Sequence, residues 1–388
     1  MIHRTFLTRV GLPLAALLLL PLAAWSQGET TPSAHPAPAP VDGKVEQAAA
    51  TPPVLEEGPP PSPAPTPGPG ETQPKVPDPE VSPYSPGGFA SILGPPVGHL
   101  VPRADYRVYW FPDEGVKGQP TDLGYVEQNF SASVPVWQNS QNDWALTTNV
   151  RSEIFHTGAI LPNTVQSFPD DLWSVRFGTA YRHLFDNDWI AGGGVSVGTA
   201  SDKPFGGHDA VTVGLNTFLR LPQGEHNAWL FSLNYSSNSE LPFPIPGVAY
   251  VWQPSEDFRA NIGLPFQLWY RPMEDLTLDF SYMLLRTVHA RATYRLLPRW
   301  RVYTAFDWSN ESYYLAERPS QDDRFFYYDK RLTSGVQWIL ARQASLDFFG
   351  GYVFDRFYFE GRSYSDRNFN RMDVGNGPFV GMRLDVRF

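Results

Sequence analysis

The chain has 388 residues, 42% apolar and 14% aromatic, with 30 basic side chains against 40 acidic ones. That acidity disfavours nucleic acid and anionic lipid surfaces as partners. It contains no cysteine, which excludes disulfides, Cys-ligated metals and lipid attachment through a cysteine.

At the N-terminus, Arg4 and Arg9 precede an apolar stretch at 10–24 that Pro13 and Pro21 interrupt. Ala24-Trp25-Ser26 then offers a small–x–small cleavage pattern, so residues 1–26 read as a secretory signal peptide cut after Ser26. The run falls short of the ~18 apolar residues that a spanning helix needs. Cleavage leaves 28 basic residues against 40 acidic ones, a net charge of −12. Residues 27–98 form a Pro/Ala-rich segment, with no aromatic residue between Gln27 and Pro83. Such a segment cannot bury enough apolar surface to offset its ordering entropy, so it is expected to be disordered and periplasmic. At ~3.1 Å per residue in polyproline II, sixty residues reach on the order of 180 Å. That reach suits a spacer, or a tether to the cell wall.

Composition changes abruptly after residue 97, and 52 of the 56 aromatic residues follow. Residues 99–388 read as one domain of alternating segments. Val380, Met382, Leu384, Val386 and Phe388 alternate with Gly381, Arg383, Asp385 and Arg387. Leu276, Leu278, Phe280 and Tyr282 likewise alternate with Asp275, Thr277, Asp279 and Ser281. Side chains in a strand point to opposite faces in turn, so one face is apolar and the other charged. A soluble antiparallel sandwich also alternates. Three features favour a membrane barrel instead. Many segments run longer than the usual 5–6 residues of a strand. Short turns, as at 138–142, 271–274 and 297–299, alternate with longer connections, as at 156–170 and 361–377. Tryptophan borders the short turns: Trp137, Trp144, Trp189, Trp229, Trp252, Trp269, Trp300 and Trp338 read as an interface girdle. The expected fold is all-β, a transmembrane antiparallel up-and-down β-barrel of 12–16 strands. The count is sixteen if tight turns near 264–265 and 285–286 are real.

Gln253-Pro-Ser-Glu-Asp-Phe-Arg259, Phe306-Asp-Trp-Ser-Asn-Glu-Ser-Tyr-Tyr314, Phe326-Tyr-Tyr-Asp-Lys-Arg331 and Gly351-Tyr-Val-Phe-Asp-Arg356 together resemble an uncharacterised family of bacterial outer-membrane barrel proteins. The resemblance covers most of the barrel region and implies fold and location, with no catalytic residue. The closing strand on Phe388 resembles the assembly signal of such barrels. It implies outer-membrane lipid and the barrel-assembly machinery as partners.

If the apolar face meets lipid, the charged face lines the lumen. The expected lining includes Asp275, Asp279, His289, Arg291, Arg295, Arg301, Asp307, Arg383, Asp385 and Arg387, with Arg151, Arg176, Arg182, Arg259, Arg331 and Asp347 on the same face. A hairpin centred near Leu285 sets Asp279 opposite Arg291, Asp275 opposite Arg295 and Ser281 opposite His289. These pairs brace the wall, or they form a charged constriction for small polar solutes. Ser281, His289 and Asp307 are the one candidate serine–histidine–acid set; the chain is not expected to be an enzyme, and a hydrolase ranks third. No cofactor or metal site is expected. Asp322 and Asp323 lack the spacing of a calcium loop, and Gly192, Gly193 and Gly194 sit in a strand with no following helix. The expected function is a porin-like passive channel for small polar solutes. A non-conducting structural or surface-receptor barrel is the alternative.

Overall fold

The computed structural model describes residues 95–388 apart from 242, 284–286 and 319. The expected signal peptide lies outside the described residues, as does the Pro-rich segment up to residue 94. Sixteen antiparallel wall positions close into a barrel. In chain order the strands are β1 (Arg103–Gly115), β2 (Asp122–Gln138), β3 (Asn142–Thr157), β4 (Asp171–Leu184), β5 (Ile190–Ser201) and β6 (Val211–Gln223). Then follow β7 (Asn227–Ser236), β8 (Ile245–Ser255), β9 (Phe258–Gly263), β10 (Phe266–Met273), β11 (Leu276–Met283) and β12 (Thr287–Leu297). The ring is completed by β13 (Trp300–Tyr313), β14 (Arg324–Ala341), β15 (Ala344–Gly361), β16 (Met372–Val374) and β17 (Gly377–Arg387). β16 and β17 both pair with β15 and form one interrupted wall position; β17 pairs with β1 and closes the ring.

β7 shows why these residues choose strands. Trp229, Phe231 and Leu233 are exposed, whereas Ala228, Leu230 and Ser232 between them are buried. Period-2 patterning therefore puts the large apolar side chains on the outside. The same inversion holds at Leu146, Val195, Phe348 and Val380, each more than half exposed. A soluble monomer rarely leaves a continuous apolar belt uncovered. Seven of the eight tryptophans face outward beside the short turns, and Trp300 stacks on Trp338 with ring centroids 5.4 Å apart. Trp269 differs from the girdle expectation. It pairs with Arg259 and Asp279 and so takes the inward parity of β10. Alternation within Phe266–Met273 is weak because both parities carry apolar groups, and adjacency to a turn misassigns it.

Wall height is uneven. β14 and β15 have 18 residues each, β9 only 6, and β10 and β11 only 8. At the short-turn end, residues 95–102 run along the rim. The Gly98 amide donates to Asp143 Oδ1 (2.7 Å), and Arg182 Nη1 donates to the Pro95 carbonyl (3.1 Å). Arg182 also forms a buried ion pair with Asp143. Gly98 has φ +86°, and a Cβ there would stand 2.4 Å from the Asn139 carbonyl oxygen, so this position requires glycine. Val97 is buried beside it.

Candidate functional site

The inward face of β11–β13 carries the charge ladder. Asp279 stands opposite Arg291 and Ser281 opposite His289, in the register centred near residue 285. The turn itself, at 284–286, lies outside the described residues. Asp275 lies in the short turn before β11, where its Oδ1 accepts from Arg295 Nε at 2.7 Å, so this pair marks the rim. His289 Nδ1 and Asp307 Oδ1 are 2.7 Å apart, and the Arg291 guanidinium lies 3.7 Å from the centre of the Tyr303 ring. Arg301 faces Arg295 across β12 and β13. On β17, Arg383 is paired with Asp105 of β1, and Arg387 Nε approaches Asp385 Oδ1 at 3.5 Å. Ser281 makes no hydrogen bond to the His289 ring. The serine–histidine–acid set is therefore incomplete as a nucleophilic relay. No group of three or more metal-ligating side chains occurs among the described residues. Asp322 and Asp323 are approached by Arg362 at 3.3 and 3.8 Å.

A second charged cluster spans the lumen, and the sequence showed only some of its members. Arg151 of β3 reaches Glu311 of β13 (2.5 Å) and Glu153 (2.8 Å). Arg331 of β14 reaches Glu127 of β2 (3.0 Å) and Asp329 (2.5 Å). Tyr313 Oη donates to Glu153 (3.2 Å), and the hydroxyls of Tyr125 and Tyr327 share a 2.6 Å hydrogen bond. β3 and β13 are six positions apart around the ring, so these are contacts between facing walls. A sixteen-stranded barrel ordinarily encloses an aqueous channel. Here, toward the long-loop end, side chains from both walls meet.

An aromatic core packs above this cluster. Phe111 stacks on Tyr125 (4.2 Å between centroids), and Phe168 of the β3–β4 loop meets Phe155, Phe325 and Tyr358 at 5.0–5.5 Å. The end of β13 then crosses the opening. The Tyr314 amide donates to the Ala200 carbonyl (2.8 Å), and Ser201 and Tyr314 form a parallel bridge. Ala316 N donates to Asp202 Oδ1 (2.9 Å), and Ser312 exchanges hydrogen bonds with Asn238. β5 and β13 lie eight positions apart, half of the sixteen. The long-loop mouth is bridged from one wall to the opposite one.

Two loops are clasped beside this bridge. Asn370 Oδ1 accepts from the amides of Asn163 (2.7 Å) and Thr164 (3.1 Å), and Asn163 Oδ1 accepts from the Asn370 amide (2.7 Å). Asn370→Ala removes the buried carboxamide that these part-buried amides donate to, at about 1 kcal/mol. The expected result is protease cutting within 158–170 and 362–371 while the barrel core stays resistant, read on a gel after limited proteolysis.

No family model matches the chain, and no curated protein does. Solved structures do align with it. An outer membrane channel of Pseudomonas putida F1 is 10% identical with a TM-score of 0.34, covering 76% of this chain and 98% of its own. A Pseudomonas aeruginosa FadL homologue is 11% identical with a TM-score of 0.32, covering 74% and 90%. The Pseudomonas putida toluene transporter TodX is 9% identical with a TM-score of 0.34, covering 77% and 93%.

Proposed function

We propose that this chain is an outer-membrane channel whose outer mouth is closed at rest. The apolar outward belt supports a membrane location, and short turns at one end with longer loops at the other support a periplasmic and an external side. The observation that carries the closed state is the bridge from Tyr314 to Ala200 across half the ring, laid over the Arg151–Glu311 contact. An always-open passive pore for small polar solutes does not fit that bridge. Such a route requires the top of the β13–β14 hairpin to withdraw.

The chain has no native cysteine, so a single introduced pair tests this directly. Mature protein carrying Ser201→Cys and Tyr314→Cys is placed in a planar bilayer. The expected trace is a quiet baseline with brief openings, which oxidation abolishes and reducing agent restores. Steady conductance that ignores the cross-link contradicts the reading. The alternative, a non-conducting structural barrel, draws support from the same wall-to-wall contacts and predicts silence under reduction as well.

A further inference from the structure

The charged side chains are unevenly divided around the ring. On the inward faces of β2, β3 and β11–β15 stand Glu127, Glu153, Asp279, Asp307, Asp329 and Asp347, with arginines interspersed. From β5 to β10 the strands contain no Asp or Glu at all, and their charged residues are Arg220, Arg259 and Arg271. Arg271 lies near the rim and pairs with Asp257 in the adjoining turn. Arg220 and Arg259 face inward, as does Arg176 of β4, and among the described residues no carboxylate lies within ion-pair distance of the three. Arg259 and Asp279 both stand opposite Trp269, on the two strands that flank β10. Among the described residues, an overall acidic protein thus holds a basic strip without ion-paired acids on one side of its lumen.

The same half-wall is built from small groups. Gly192, Gly194, Ser196, Gly198, Gly214 and Gly247 face inward along it, where the opposite wall presents tyrosines and arginines. The Phe218 ring packs against Gly192, so that a Cβ there would come 2.7 Å from the ring. Phe218, Leu230 and Val251 form a buried apolar patch on the same strands, and Leu230 stands directly opposite Arg220. One wall of the lumen is filled and internally neutral. The other carries the inward arginines beside a buried apolar patch.

We propose that the β4–β9 half of the lumen is a binding path for small organic anions, with Arg176, Arg220 and Arg259 drawing the anionic group. Cations lining a low-dielectric passage raise the local concentration of anions and repel cations. The inference rests on the channel reading for transport, but not for binding.

Two measurements test it. First, hexanoate, hexylammonium and hexanol are titrated calorimetrically against mature protein in a non-ionic detergent. Saturable binding of hexanoate alone is expected, weakened roughly tenfold or more in the Arg220→Gln/Arg259→Gln variant, in line with the gain a focused basic site provides. Equal binding of all three, or none, overturns the proposal. Second, open events of the mature protein are recorded across a potassium chloride gradient. A reversal potential favouring chloride is expected, shifting toward potassium when Arg176→Gln is added to the pair; selectivity that ignores all three substitutions also overturns it. Hexanoate binding without any openings would refute the channel while leaving the anion site standing.

Discussion

Arg331→Met is expected to destabilise the barrel by about 3–5 kcal/mol, the cost of breaking a buried ion cluster by removing one partner. Arg331 is almost wholly buried and lies between Glu127 and Asp329, with the Tyr109 and Phe111 rings beside its guanidinium. Methionine fills much of the volume but leaves Asp329 without its cation and Glu127 with Arg151 alone. Adding Glu127→Gln removes one of those charges and is expected to recover part of the loss. The measurement is the urea midpoint of refolded protein, followed by the shift between folded and unfolded bands on a gel. A loss below ~1 kcal/mol would place the cluster in the range of solvated surface pairs, and hence a water-filled lumen at this level.

Val195→Arg and Ser196→Arg are expected to part company by a similar margin. They are neighbours near the middle of β5, Val195 facing out and half exposed, Ser196 facing in. Arginine on the lipid face near the midplane costs about 2–4 kcal/mol, falling toward zero at the interfaces. On the inward side the guanidinium finds the low polar wall of β4–β6 and is expected to cost less than half as much. Refolding into vesicles of defined composition gives both values. Equal costs would mean that the two faces of β5 meet the same solvent.

These two positions also show how far the sequence reached. Alternation is a local property, so the faces of β5, β7, β11 and β17 were legible from residue order. The turn at 264–265 was legible from its proline. The ladder of Asp279 with Arg291 followed once the hairpin centre was placed, because a register fixes every pair along it. Trp269 was not legible, since apolar groups on both parities of β10 erase the period. Nor was the clustering of Glu127, Glu153, Glu311 and Asp329 around Arg151 and Arg331. Glu127 and Arg331 are 204 residues apart, and nothing local says that two facing walls of a sixteen-stranded ring approach closely enough to touch. The extra length of β13–β15 was the available hint, because strands of up to 18 residues exceed what a bilayer crossing needs. Their surplus bends over the mouth. The basic strip was half visible. Arg176 and Arg259 were placed on the inward face, but the absence of acids from β5 to β10 matters only once those strands are adjacent.

All of this depends on hydrocarbon, not water or protein, covering the outward rows. The most direct test places single cysteines at positions 193 to 198 of the cysteine-free chain, labels each with a nitroxide in reconstituted vesicles and measures collisions with oxygen and with a water-soluble nickel chelate. Oxygen should dominate at 193, 195 and 197, and the chelate should gain at 194, 196 and 198. Chelate access at the odd positions equal to that at the even ones would show a barrel bathed in water on both sides, contrary to the membrane placement.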